Sequence, residues 1–229
     1  MKVAVLIDVF RRHDRGLLDL DSETTVMTVF TSGADHSTFA LEPDDVDPEL
    51  AALAGTRVPI RYLVERMITT SSNEATNCLL TVLGLEDLNR LLRQLGATHM
   101  VVERLLGDRR ARAAGRENLV TPADLCRLMA AIANGTAARR ESCSDMLAIL
   151  ERQQHRTEIP AGLPAGTRVA NKTGWVEGIL HDTAAVFPAD AAPYVLSVCT
   201  LGYATQQEAR EQIQAVSMRA WERRELGYG

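Results

Sequence analysis

No apolar run in these 229 residues approaches the length of a membrane span, so none of them reads as a membrane-spanning helix. Positive charge is not in excess: 25 Lys and Arg stand against 30 Asp and Glu, a formal net charge of -5. The chain therefore has no electrostatic footprint for DNA, RNA or an anionic membrane surface. The four cysteines, Cys78, Cys126, Cys143 and Cys199, are scattered without the spacing of a metal site or a disulfide framework. They read as reduced small hydrophobes. The five histidines do not cluster, so neither a zinc site nor any other metal centre is expected. Internal repeats and low-complexity linkers are absent, and so are the basic n-region and small-residue cleavage site of a signal peptide. As given, the chain reads as cytoplasmic, with an exported longer form as the alternative.

What is present is a core-forming composition. Hydrophobic residues make up 46% of a chain long enough for one large domain or two small ones. The first ten residues, MKVAVLIDVF, are apolar on nearly every side of a helix over 2–13, which Gly16 closes. Such a helix belongs in the middle of a core. Further on, TTVMTVF is β-branched and suits extended chain, and EPDDVDPEL leads as a loop into a short helix. Pro59 opens a helix to about Met67, TTSSN interrupts it, and helical periodicity resumes until Gly84 and again until Gly96. Residues 104–120 read as a long connection. Capping boxes at Thr121–Asp124 and Ser142–Asp145 open two further helices, and Thr205–Glu208 opens a terminal helix to about Arg224. Between them TRVANKTG, HDTAAVFP and PYVLSVCTLG read as three strands, and their short connections require an antiparallel meander.

Three short stretches carry the chemistry: Lys2 near the start of the buried helix, Ser71-Ser72-Asn73 in the break between two helices, and Lys172-Thr173-Gly174 on a strand. Each alone is weak, since an SSN between helices is most often an N-cap and a KTG is most often an edge strand and turn. Their order is what matters. The chain resembles class A β-lactamases and their relatives among the penicillin-recognising serine enzymes, whose motifs are Ser-x-x-Lys, Ser-Asp-Asn and Lys-Thr-Gly. LVERMITTSSNEATNCLL resembles the Ser-Asp-Asn helix pair with Ser72 in place of the aspartate. GRENLVTPADLCRLM and IPAGLPAGTRVANKTGWVEGILHDTAAVF resemble later parts of the same family.

The resemblance implies an α/β (α+β) fold: an antiparallel sheet flanked by helices beside an all-helical region. It implies a single domain over 1–229, with a helical region of about 17–158 and a helix-plus-sheet region of 1–16 and 159–229. It also implies that the family's nucleophilic serine, three residues before Lys2, lies outside the chain, together with an N-terminal helix and two strands. The 229 residues are accordingly expected to be inactive, and one edge of the terminal sheet, that of PYVLSVCTLG, is expected to be open. The α-amine of Met1 should disfavour burial of the first turn, so residues 1–3 are expected to fray.

Roles follow the same resemblance. Lys2 activates the serine and Ser71 passes a proton to the leaving nitrogen. Asn73 binds the substrate amide side chain, and Lys172 and Thr173 hold its carboxylate. Gly174 lets the backbone approach the ligand, the N–H of Trp175 serves an oxyanion hole, and His181 lines the cleft. Lys2, Ser71, Asn73, Lys172 and Thr173 are expected to converge on one pocket. His181 and Asp182 cannot form a dyad, because neighbours on a strand point to opposite faces, so Asp182 is read as structural. The loop before Thr121-Pro122 lacks the Glu-x-x-x-Asn that drives deacylation in the family. Asp108 is the candidate substitute base, with a salt bridge to a nearby arginine as the other reading. The expected substrate is a β-lactam, peptide or ester, bound by a monomer without cofactor, nucleic acid or membrane. A non-catalytic binding protein and a penicillin-binding-protein-like peptidase are the alternatives.

Overall fold

The computed structural model describes residues 1–226, and the chain divides into two compact units, Met1–Val120 and Thr121–Gly229. The first unit is organised by α1 (Lys2–Asp14), in which every residue from Val3 to Phe10 is buried. A helix apolar on all sides can only be stable when other elements surround it, and α1 packs against three later helices. It ends as expected: the N–H of Gly16 reaches the carbonyl of His13, that of Leu17 reaches Arg12, and Gly16 has φ +70°. That paired closure needs a left-handed residue, which glycine supplies without strain. The first turn does not fray. Val3 is fully enclosed and the helix is formed from Lys2.

Three two-stranded antiparallel ribbons, five more α-helices and a short 3-10 turn complete this unit. β1 (Glu23–Thr25) pairs with β4 (Arg57–Pro59), and β2 (Val29–Thr31) with β3 (Thr38–Ala40). Between β3 and β4 lies α2 (Pro48–Ala51), capped by the Asp47 carboxylate, which accepts from the N–H of Leu50. Pro59 is not inside the next helix but ends β4 and caps α3 (Ile60–Thr69). α4 (Asn73–Leu83) and α5 (Leu85–Gln94) follow, separated by Gly84 at φ +81°. Leu6, Ile7, Leu63, Met67, Leu79 and Leu88 of these helices all have no measurable exposure. The segment expected to be a long connection is structured: β5 (Val101–Val102) pairs with β6 (Asn118–Leu119) around α6 (Arg109–Ala113). The Asn118 amide fastens it, accepting from the N–H groups of Glu103 and Arg104 and donating to the Arg104 carbonyl.

The second unit begins with α7 (Pro122–Ala133), whose Thr121 hydroxyl accepts from the N–H of Asp124 as the capping box requires. α8 (Arg140–Glu151) starts earlier than its sequence suggests. Ser142 is inside the helix, and Arg139 is the N-cap without a side-chain cap. Thus the second capping box does not form, because Pro-free helical chain extends back past Ser142. β7 (Arg168–Val176), β8 (Ile179–Phe187) and β9 (Tyr194–Leu201) form the expected antiparallel meander in the order β7-β8-β9, with Lys172 opposite Thr183 and Thr173 opposite Asp182. Among the described residues β9 pairs only with β8. α9 (Gln206–Glu222), capped by Thr205, covers one face of the sheet. Val169, Leu180, Ala184 and Val186 from the strands meet Ile159, Ala209 and Ile213 there. No helix of the described residues is long and apolar enough to cross a membrane.

Candidate functional site

In the first unit the break between α3 and α4 is only three residues long, Thr70 to Ser72. Thr70 ends α3, and the Ser72 hydroxyl caps α4 by accepting from the N–H of Ala75 at 3.2 Å. Ser71, between them, has φ +62°. A left-handed conformation in a residue with a Cβ costs on the order of 1–3 kcal/mol and persists where surrounding structure enforces it. Its consequence here is geometric. The ammonium of Lys2 donates to the Ser71 carbonyl at 2.5 Å, to the Ser71 Oγ at 3.0 Å and to the Asn73 Oδ1 at 2.8 Å. Three acceptors thus match the three N–H groups of one ammonium, and Lys2, Ser71 and Asn73 form one cluster although 69 and 71 positions separate the lysine from its partners. The 3.0 Å between the Lys2 ammonium and the Ser71 hydroxyl lies within the range needed for proton transfer.

Asn77, one turn further along α4, orients the following loop. Its Oδ1 accepts from the N–H of Leu106 at 2.8 Å and its Nδ2 donates to the Leu106 carbonyl at 2.9 Å. The three loop carboxylates are all engaged in structure. Asp108 accepts from the Ser32 hydroxyl (2.8 Å), the Ala111 N–H (2.9 Å) and the Gly33 N–H (2.9 Å), and it caps α6. Burial acts to raise its pKa, but those donors and the charge of Arg104 outweigh it and hold the carboxyl below its ordinary range. That is the opposite of the tuning a general base needs. Asp108 thus fixes the loop through neutral donors, where the other reading had a salt bridge to a nearby arginine. Glu103 accepts from the N–H of Glu117, and Glu117 pairs with Arg104 and Arg112.

In the second unit β7 carries Lys172, Thr173, Gly174 and Trp175. Lys172 is buried, and its ammonium donates to the Thr173 carbonyl at 2.8 Å. Burial pulls its pKa down to about 7, against the opposing pull of Asp182 and Glu158. The Thr173 hydroxyl is enclosed and has no hydrogen-bond partner among the described residues. An enclosed polar atom without a partner is costly, and a ligand group would satisfy it. A Cβ added at Gly174 would meet nothing within 4 Å, so open space faces the backbone there. Trp175 is 47% exposed and meets the His155 ring edge-on at 5.1 Å.

On β8, His181 is half-buried, with Nδ1 at 2.9 Å from the Leu180 carbonyl and 3.2 Å from the Thr200 N–H, and burial lowers its pKa. Asp182 is fully enclosed. It accepts from the Ile159 N–H and the Asn171 amide, and burial raises its pKa to about 7. These are structural contacts, as alternation along the strand implies. The described residues contain no group of His, Cys, Asp and Glu that could hold a metal ion.

Glu74 and Asn77 were not singled out from the sequence. The available signal was their polarity within NEATNCLL: they sit among apolar helix positions and are both enclosed. A buried polar side chain in a core helix requires dedicated partners.

Known proteins share this fold. Beta-lactamase AST-1 of Nocardia asteroides is 32% identical over 183 residues, covering 74% of this chain, and the chain spans about half (56%) of that relative's length. The structure of PBP-A superimposes with a TM-score of 0.81 at 26% identity, covering 97% of this chain and 79% of that one. A β-lactamase from Sphaerobacter thermophilus does so with a TM-score of 0.78 at 28% identity, over 97% and 80% of the two chains. A mutant of PBP-A, solved as an acyl-enzyme complex with penicillin G, matches with a TM-score of 0.80 at 26% identity, over 97% and 80%. Residues 1–223 match the pattern of one family throughout, and on that ground the chain belongs to the Beta-lactamase enzyme family.

Proposed function

We propose that these residues serve a serine hydrolase that forms an acyl-enzyme with a β-lactam, peptide or ester and releases it slowly. The observation that carries this reading is the Lys2 ammonium on the Ser71 hydroxyl and the Asn73 amide. Ser71 passes a proton to the leaving nitrogen, with Lys2 as its partner, and Asn73 binds the substrate amide. Lys172 and Thr173 hold the substrate carboxylate, for which the enclosed Thr173 hydroxyl is a ready donor. The open space at Gly174 admits the ligand against the backbone, the Trp175 N–H donates to the oxyanion, and His181 lines the cleft. The position three residues before Lys2, where the family carries its nucleophile, is not among the 229 residues.

A penicillin-binding-protein-like peptidase is the favoured form of this activity. Its support is that Glu103, Asp108 and Glu117 are all engaged in structure, which leaves no loop carboxylate to activate a deacylating water. The test compares the 229 residues with a chain extended upstream to include a Ser-x-x-Lys motif, each incubated with labelled penicillin. The short chain should give no covalent adduct. The extended one should give a burst of acylation and then slow turnover. A label on Ser71 or Ser72 of the short chain overturns the assignment of roles, and fast sustained hydrolysis by the extended chain overturns the peptidase form. Binding of penicillin without acylation by the extended chain would favour a non-catalytic binding protein.

A further inference from the structure

The left-handed conformation of Ser71 needs a cause, because a helix that ends on such a residue normally uses glycine or asparagine. The cause lies in a closed circuit of hydrogen bonds around it. The Arg66 carbonyl accepts from the N–H groups of both Thr70 and Ser72, so the chain doubles back within one turn of the end of α3. The Arg66 guanidinium, at the other end of the same residue, grips the Asp47 carboxylate through Nε and Nη2. The N–H of Asp47 donates to both carboxylate oxygens of Glu74, at 3.0 and 3.1 Å. Glu74 returns the circuit to its start, because its Oε2 accepts from the Ser72 hydroxyl at 3.4 Å. Glu74 is 1% exposed and Asp47 7%. Thr76 adds a further tie, its hydroxyl donating to the Ser72 carbonyl at 2.7 Å. Both flanks of Ser71 are therefore pinned, and the residue between them has to turn left-handed to connect them.

We infer that Glu74 is a positioning residue: through Ser72 and the N–H of Asp47 it holds Ser71 in the conformation that presents its hydroxyl and carbonyl to Lys2. Glu74 lies two residues from Ser72 and directly follows Asn73, and its carboxylate meets the Ser72 hydroxyl and the N–H of Asp47. A carboxylate is suited to this because it presents two acceptor oxygens, one for the Asp47 N–H and one shared with Ser72. The inference rests on the proposed reading of Ser71 and Lys2 as reaction partners, but the circuit can be tested without any reaction.

The experiment follows the Lys2 ammonium by ¹⁵N NMR in the 229-residue chain, where three acceptors protect its protons from exchange. Wild type should show a Lys2 ammonium cross-peak. Glu74→Ala should abolish it while the amide spectrum of α1 stays folded. The double variant Ser72→Asp with Glu74→Ala should bring it back, because a carboxylate on residue 72 starts from the position of a hydroxyl already 3.4 Å from the Glu74 oxygen. A folded Glu74→Ala chain that keeps the cross-peak overturns the inference. If Glu74→Ala does not fold, the double variant decides: folded with the cross-peak supports the inference, and folded without it, or unfolded, overturns it. Failure of acylation in the extended chain would defeat the hydrolase reading and leave this signature untouched.

Discussion

Replacing Lys172 by methionine should stabilise the second unit, with a gain that depends on pH. The lysine is enclosed on β7, and burial lowers its pKa from the ordinary 10.5 to about 7. At about 1.4 kcal/mol per pH unit, holding its proton there costs at most roughly 4–5 kcal/mol near neutrality. Methionine has a similar reach and carries no charge. It forfeits the hydrogen bond to the Thr173 carbonyl, worth about 1 kcal/mol. It also removes the cation that faces Asp182 and Glu158, so the expected net gain is roughly 1–3 kcal/mol at pH 7. Below about pH 7 the ammonium is charged in both folded and unfolded chains, and the full penalty is present. Between pH 7 and 10.5 the unfolded chain binds more protons than the folded one, so wild-type stability from this group rises with pH. The advantage of Lys172→Met should therefore shrink across that window by about 1.4 kcal/mol per pH unit, vanish about 1–2 units above pH 7 and reverse in favour of wild type toward 10.5. Urea unfolding followed by tryptophan fluorescence measures it directly, because both tryptophans, Trp175 and Trp221, lie in the second unit. An advantage that stays constant from pH 6 to 10.5, or a variant less stable than wild type at pH 7, would refute the reasoning.

Other substitutions probe the remaining structure. Asp108→Ala should destabilise the first unit by roughly 2–3 kcal/mol, since it leaves the Gly33 and Ala111 N–H groups and the Ser32 hydroxyl without their acceptor. It should leave the rate of loss of the penicilloyl group in the extended chain unchanged, and a slowed loss would restore Asp108 as a base. Gly162→Ala should cost roughly 1–3 kcal/mol by overpacking, because its Cβ would lie 2.5 Å from the Gln214 carbonyl and 2.7 Å from the Ser217 Cβ of α9; differential scanning calorimetry reads the shift. Leu6→Ala on α1, at a site with no exposure, should cost roughly 2–5 kcal/mol, visible as a lowered urea midpoint.

Much of this protein was legible in the amino-acid sequence, for local reasons. The all-round apolar pattern of residues 3–10 demanded a buried helix, and the three β-branched runs after residue 167 with short connections demanded an antiparallel meander. Thr121 and Thr205 marked helix starts because a hydroxyl three residues before an N–H satisfies it within the chain. The order of Lys2, Ser71-Ser72-Asn73 and Lys172-Thr173-Gly174 was enough to indicate the family. The sequence alone did not reveal what depends on distant partners. Asp108 read as a candidate base or an arginine's salt-bridge partner, and the packed chain shows Ser32 and Gly33, 75 and more positions earlier, holding it. Ser142 read as a cap, yet the helix runs through it. The left-handed turn at Ser71, and the Glu74–Asp47–Arg66 circuit that enforces it, have no local signature. A hydrogen bond between residues tens of positions apart leaves no periodicity in the sequence, and only the packed chain decides which buried polar groups find each other.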